Sequence, residues 1–80
     1  MRTVDGRLNG IGARVLARRK ELKLTRDVLC ARLADRTNGR WIADAGEVYS
    51  VEAGRRSVHD LEILALAEAL ECDACWLLGG

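Results

Sequence analysis

The chain contains no proline and no phenylalanine, and aromatic residues make up only 4% of it. Without proline, the composition marks no linker, and no segment is repeated or low in complexity. No apolar run is long enough to span a bilayer, and no apolar signal segment follows Met1. A chain of 80 residues that is 49% hydrophobic and 31% charged is also unlike a disordered segment. These features predict one compact domain.

Residues suited to chemistry are scarce. His59 is the only histidine, and neither a nucleophile nor a glycine-rich phosphate loop accompanies it, so we do not expect an enzyme. Three cysteines, an odd number, favour a reducing, cytoplasmic setting without disulfides. Cys72 and Cys75 form a CxxC pair that, with Cys30 and His59, supplies the ligand count of a zinc site, but a second paired spacing is missing. We therefore expect no metal and no cofactor, with thiol or metal sensing as the less favoured alternative.

Charge is distributed unevenly along the chain. Residues 1–40 hold eleven Lys or Arg against four Asp or Glu, whereas residues 41–80 hold two against eight. This polarity fits a basic face that lies on phosphates, a head-to-tail pairing of two copies, or simply a solvated basic helix face. The charge of a segment does not choose among them, because the fold decides which charges cluster.

Apolar periodicity and capping residues predict three helices in the first two thirds of the chain. The first fits residues 10–22, with Ile11, Val15, Leu22 and the stem of Arg18 on one stripe. Thr25 is a good N-cap for a second helix, which has apolar positions at Val28, Leu29, Ala31 and Leu33 and ends in the polar turn 35–39. Asp44 caps a third helix, Glu47 completes the capping-box pattern, and Gly54 ends it.

Two more helices follow. The fourth has Ser57 or His59 as its candidate cap and an apolar face made of Leu61, Leu64, Ala65, Ala67 and Leu70. Asp73 caps a short fifth helix that holds Trp76, Leu77 and Leu78. The sequence therefore predicts an all-α domain at 10–80, preceded by a flexible N-terminal segment at 1–9.

The segment from Ile11 to Leu78 resembles the Cro and phage-repressor family of helix-turn-helix domains, also called the XRE family. The resemblance is carried by Leu24-Thr25, Leu33-Ala34, the run Val48-Tyr49-Ser50-Val51-Glu52-Ala53-Gly54, Arg55-Arg56, the run 64–70 and Trp76-Leu77-Leu78. It implies a five-helix, lambda-repressor-like fold with the helix-turn-helix in helices 2 and 3. It also implies a small transcriptional regulator that binds a double-stranded DNA operator, with the third helix in the major groove.

The third helix supplies the candidate base-reading residues. If Val48 and Val51 face the core, a step of about 100° per residue turns Gly46, Tyr49, Ser50 and Ala53 outward. The family's reading positions fall on Ala45, Gly46, Tyr49 and Ser50. Polar readers are common at the first two positions, but Ala45 can touch only a thymine methyl group. Direct readout therefore rests on Tyr49, Ser50 and Arg26.

The candidate contacts to the DNA backbone are Thr25, Arg26, Arg40, Arg55 and Arg56. Arg55 and Arg56 match the family's backbone-contacting loop, and the alternative is that they are solvated loop arginines. Arg26 can bind a guanine or a phosphate, and we favour phosphate because most protein hydrogen bonds to DNA go to the backbone. Glu47 would be repelled by phosphates, and we expect it to turn back into its capping role. Trp41 lies in a long connection between helices 2 and 3, and we expect it to pack on the core.

The resemblance also implies a structural ion pair between Glu52 and Arg19 or Arg18 of the first helix. A homodimer is expected because one small module makes few base contacts, and Trp76, Leu77 and Leu78 are the predicted dimer residues unless they cap the core of the monomer. The competing function is a protein-interaction module with the same fold and no base reading. The Ala45-Gly46 pair and Glu47 are the residues that favour that alternative.

Overall fold

The computed structural model describes residues 10–79, so the predicted N-terminal segment at 1–9 lies outside the described residues. The described residues form five helices and no strand, which confirms the predicted all-α architecture. The helices are α1 (Gly12–Glu21), α2 (Arg26–Arg36), α3 (Ala45–Glu52), α4 (Asp60–Ala69) and α5 (Ala74–Leu77). Helix α2 packs on both α3 and α4, while α1 packs on α3 and α5 packs on α4. No helix in this part of the chain is long and apolar enough to cross a membrane.

Side-chain caps define the starts of three helices. The Thr25 hydroxyl accepts a hydrogen bond from the Val28 amide at 3.1 Å, and the Asp44 carboxylate accepts one from the Glu47 amide at 2.7 Å. The Asp73 carboxylate accepts from the amide of Cys75 at 2.9 Å. Each cap satisfies an amide that the first helical turn leaves unpaired, and all three were predicted from the sequence.

The cap of α4 is His59, one of the two predicted candidates. Its amide donates to the Glu62 carboxylate at 3.3 Å, in the way that a glutamate at the third helical position completes a capping box. The predicted left-handed glycine is also present, since Gly54 has φ of 75° just after α3.

The core is formed mainly by aliphatic side chains from all five helices. Its largest fully buried members are Val15, Leu29, Leu33, Val51, Leu66, Leu70 and Leu77. Four residues that the sequence assigned to apolar helix faces are exposed instead: Val28, Ala31, Leu61 and Leu64. Helix α4 is apolar on more than one side. The predicted Ala65, Ala67 and Leu70 are buried, together with Leu66 and Ala69, whereas the predicted Leu61 and Leu64 are exposed.

The first turn of α1 rests directly on the last turn of α3. A Cβ atom added to Gly12 would lie 2.4 Å from the carbonyl oxygen of Val51 and 2.7 Å from that of Glu52. Both obstacles are backbone atoms, which a rotamer change cannot move away. Gly12 is therefore the residue that allows the two helices to approach this closely.

Gly12→Ala is expected to destabilise the protein by about 2 kcal/mol or more, because the added methyl group forces α1 away from α3. Chemical denaturation followed by circular dichroism measures this change in the free energy of unfolding.

Gly46→Ala is the matched control. Its new Cβ would meet only the side-chain oxygen of Asp44, at 3.3 Å, on an exposed part of α3. Alanine has the higher helix propensity, but the Asp44 oxygen that it meets also caps α3 and must shift by a few tenths of an ångström. This variant should therefore change the free energy of unfolding by less than about 1 kcal/mol in either direction. Equal losses in both variants would contradict the close-packing argument.

Candidate nucleic-acid interface

A buried ion pair joins α1 to α3. The Arg19 Nε donates to Glu52 Oε2 at 2.6 Å, and the two side chains are only 8% and 2% exposed. Arg19 Nη1 also donates to the carbonyl oxygen of Leu24 at 2.8 Å, which fixes the chain between α1 and α2. The ion pair predicted for Glu52 is thus confirmed with Arg19. Arg18, the other predicted partner, donates instead to the carbonyl oxygen of Leu70 at 2.9 Å.

The same carboxylate holds the first residue of α2. Arg26 Nε donates to Glu52 Oε1 at 3.0 Å, and the Arg26 guanidinium lies over the Tyr49 ring at 5.2 Å from its centroid. The Arg26 side chain is 37% exposed, so it reaches the surface although its Nε is bound to a carboxylate that is only 2% exposed. A buried carboxylate therefore determines where this surface cation lies.

The residues of α3 are buried and exposed in the pattern expected from a step of about 100° per residue. Val48 and Val51 are buried, whereas Gly46 and Tyr49 are exposed and Ala45, Ser50 and Ala53 are half-buried. The exposed Arg55 lies 5.8 Å from the centroid of the Tyr49 ring. The structure thus brings two of the predicted backbone contacts, Arg26 and Arg55, to the same aromatic side chain, and each contact is a cation–π interaction. Thr25, a third, is the cap of α2 and is exposed.

Arg56 is held in a different network. Its guanidinium donates to both oxygens of the Glu62 carboxylate at 2.8 and 2.7 Å, pairs with Glu47 at 3.0 Å and lies over the Trp41 ring at 5.5 Å. The hydrogen bond to Glu62 is the main reason that the pKa of Arg56 is raised. The same bond lowers the pKa of Glu62, against the opposing effect of burial. Glu47, predicted to turn back into the capping box, contacts Arg56 instead.

The remaining predicted backbone contact, Arg40, is exposed and lies in the loop after α2. Its neighbour Trp41 is half-buried and packs against the core, as the sequence predicted. The Trp41 indole N–H is buried and has no hydrogen-bond partner among the described residues. Arg40 is thus placed beside Trp41 and α4, whereas Arg26 and Arg55 are beside Tyr49.

Several arginines of the basic first half of the chain contact residues of the second half within the molecule. Arg32 donates to the carbonyl oxygen of Ala69 and to the Glu71 carboxylate, both at 3.0 Å. Arg18 donates to the carbonyl oxygen of Leu70 in the same region. Arg32 and Arg18 thus both place positive charge at the C-terminal end of α4, where the helix dipole favours it. The charge asymmetry of the sequence is therefore partly satisfied by contacts inside the chain.

The three predicted dimer residues differ in exposure. Leu77 is fully buried in the core, and Trp76 is half-buried. Arg14 donates to the carbonyl oxygen of Trp76 at 3.0 Å and lies over its ring at 5.2 Å. Leu78 is 62% exposed. Leu77 thus caps the core of the monomer, which was the alternative to the dimer patch.

The cysteines lie in separate environments. Cys30 and Cys72 are half-buried, and burial is the main cause that raises the pKa of each thiol. Cys75 is exposed in the first turn of α5. Within residues 10–79, no group of three or more His, Cys, Asp or Glu side chains is arranged to hold a metal ion. The structure does not bring Cys30, Cys72, Cys75 and His59 together as a zinc site.

Comparison of the chain with known protein families, with curated proteins and with solved structures gave no match.

Two features of this surface were not predicted from the sequence. The pair between Arg26 and Glu52 joins residues 26 positions apart, and the Arg56 network brings together Glu47, Glu62 and Trp41 from three parts of the chain. Of these contacts, only the one between Arg56 and Glu62 joins residues close enough in sequence to have been predicted, because they lie on either side of the start of α4.

Glu62→Gln is expected to lower the free energy of unfolding at pH 7 by about 1–3 kcal/mol, because it removes a charged partner of Arg56. The pKa of Glu62 is lowered in the folded state, so its contribution is present above the unfolded pKa of about 4.3 and is lost as the pH falls through the folded pKa. Urea denaturation of both proteins between pH 7 and about pH 3 should show the difference shrinking in acid.

Asp60→Asn is the control for this experiment, since Asp60 is exposed on the same helix. Its effect should be within about 0.5 kcal/mol at every pH. A Glu62→Gln penalty that stays constant down to the lowest pH would contradict the assigned ion pair.

Proposed function

We propose that this protein is a small transcriptional regulator of the Cro and phage-repressor type that binds double-stranded DNA sequence-specifically. In this proposal α2 and α3 are the helix-turn-helix, with α3 in the major groove. The observation that carries the proposal is the exposed Tyr49 on α3, which has the guanidinium groups of Arg26 and Arg55 beside its ring. Two cations around an exposed polar aromatic residue suit a surface that meets phosphates and base edges.

The dimensions of α3 support this role. An α-helix with its side chains is about 10–12 Å across, which matches the major-groove width of about 12 Å, and the eight residues of α3 present about two turns to the bases. Its outward residues are small near the start, with Ala45 and Gly46, so the helix backbone can approach the bases closely. Tyr49 and Ser50 supply hydroxyl groups one turn later, and the Ala45 methyl group suits contact with a thymine methyl group.

Arg26 and Arg55 would bind the DNA backbone, while the outward residues of α3 contact the bases. Arg26 already uses its Nε on Glu52, so its Nη groups are the ones that would reach a phosphate. Anchoring by a buried carboxylate reduces the side-chain entropy that Arg26 loses on binding. Arg55, after the end of α3, would meet a second phosphate. We therefore assign both arginines to the DNA backbone, and base reading to α3.

Glu47, the acidic residue in the first turn of α3, does not oppose this assignment. Glu47 would repel phosphates if its carboxylate were unpaired, but it forms an ion pair with Arg56. Arg56 is itself shared with Glu62, so we assign it to the fold and no longer count it as a phosphate contact. The proposal includes no catalytic step and no cofactor.

A homodimer is part of the proposal, because two copies of α3 spaced about one helical turn of DNA, roughly 34 Å, would read two half-sites. The alternative function, a protein-interaction module, is favoured by a different observation. Two large apolar residues of α4 are exposed in one groove beside Trp41: Leu61 at 74% and Leu64 at 55%. An apolar patch of this kind fits a protein partner, which is either another molecule or a second copy of this chain.

Selection of random-sequence duplex DNA by the purified protein tests the proposal, and we expect enrichment of a defined site. Titration of that site at several salt concentrations should then show that Arg55→Ala lowers the slope of log affinity against log salt by about 1, since one phosphate contact is lost. Tyr49→Ala should change or relax the enriched sequence instead.

Lys20→Ala is the matched control, because it removes one exposed positive charge from α1 and leaves the surface around Tyr49 intact. Its salt slope should equal that of the parent. No binding even at low salt would refute DNA binding and would leave the protein-interaction module as the better function. An equal loss of slope in Lys20→Ala and Arg55→Ala would refute the assigned face.

A further inference from the structure

An apolar groove lies between α4 and the segment that follows α2. It has a volume of about 440 Å³, and the residues that line it include Arg36, Arg40, Trp41, Leu61, Leu64 and Glu68. Leu61 and Leu64 line it while being 74% and 55% exposed. Single exposed leucines are common on protein surfaces, but two of them in one groove beside a tryptophan form a contiguous apolar surface that favours a partner.

The two walls of the groove run in opposite directions. At one end, Arg32 of α2 donates to the carbonyl oxygen of Ala69, the last residue of α4. At the other end, Arg56 contacts both the Trp41 ring and the Glu62 carboxylate in the first turn of α4. Arg40, next to Trp41, therefore lies near the start of α4, whereas Glu68 lies near its end.

Two other charged residues of the groove, Arg36 and Glu62, are paired with Asp35 and Arg56. Among the described residues, Arg40 and Glu68 are therefore the groove charges available to a second copy. Leu61, Leu64 and Glu68 are spaced by three and four residues, so they form one stripe along α4. If two copies of the stripe met in antiparallel orientation with a twofold axis near Leu64, the start of one α4 would face the end of the other. The positive end of the groove, at Arg40, would then face Glu68 of the second copy, twice in each dimer.

We propose that this groove is the surface through which two copies of the chain form the homodimer, with α4 packed against α4. The inference rests on the dimer included in the proposed function and changes its predicted location. Of the earlier dimer residues, Leu77 is buried in the monomer and Trp76 is held by Arg14. The stripe on α4 offers two exposed leucines and an opposite charge at each end, which the α5 residues do not.

Sedimentation equilibrium of the full chain in the absence of DNA tests this surface. The parent protein is expected to be a dimer, and Leu64→Glu should raise the dimer Kd at least about 30-fold, because it places two carboxylates at the twofold axis. Leu78→Glu is the matched control, since it makes the same change at a residue that is 62% exposed on α5. Its Kd should stay within about threefold of the parent value. Circular dichroism of each variant verifies that it is folded.

A charge exchange tests the proposed orientation. Arg40→Glu and Glu68→Arg should each raise the Kd about tenfold, and the double variant should recover most of the loss because each pair is rebuilt with reversed signs. A parent protein that is monomeric at every concentration would overturn the inference. A dimer that tolerates Leu64→Glu, or that is lost in Leu78→Glu, would overturn it as well. Because no DNA is present, failure of DNA binding does not affect this result.

Discussion

The buried carboxylate of Glu52 is the group on which the arrangement of α1, α2 and α3 depends. A carboxylate that is 2% exposed would cost several kcal/mol without counterions, and Arg19 and Arg26 supply them from two other helices. Gly12 adds a second constraint, because the backbone of α1 touches the carbonyl oxygens at the end of α3. The ion pairs of Glu52 and the contact of Gly12 with the end of α3 both lie on the inner side of that helix. Together they fix the direction in which its outward face points.

Most arginines within residues 10–79 have structural contacts, which changes how the charge of the chain should be interpreted. Arg18 and Arg32 bind the end of α4, and Arg56 holds the start of α4 beside Trp41. The basic first half and the acidic second half thus meet inside one molecule. A large positive count in the sequence is for this reason a poor measure of a DNA-binding surface. The proposal depends on the few cations placed around Tyr49, and Arg55 is the most exposed of them.

The parts of the structure that could be predicted from the sequence depend on local rules. Thr25, Asp44 and Asp73 marked helix starts because a capping side chain needs only the next turn, and the spacing of Val48 and Val51 identified the buried side of α3. For α4 the same approach succeeded only in part, with Ala65, Ala67 and Leu70 buried but Leu61 and Leu64 exposed, since apolar residues occupy several of its faces and only packing decides which are covered. The partners of Arg56 were missed because Trp41, Glu47 and Glu62 come from three parts of the chain that only packing brings together. What remains a hypothesis is the DNA-binding role of the α3 face.

Mapping of DNA contacts by amide NMR signals tests that role most directly. Titration of the labelled protein with its selected duplex should shift the amide signals of Gly46, Tyr49, Ser50 and Arg55, while those of the exposed groove residues Leu61 and Leu64 stay unchanged if the dimer is already formed. The signals around Glu52 should shift little, because that part of the fold is fixed before binding. Shifts confined to α4, or absent from α3 at saturating DNA, would contradict the account.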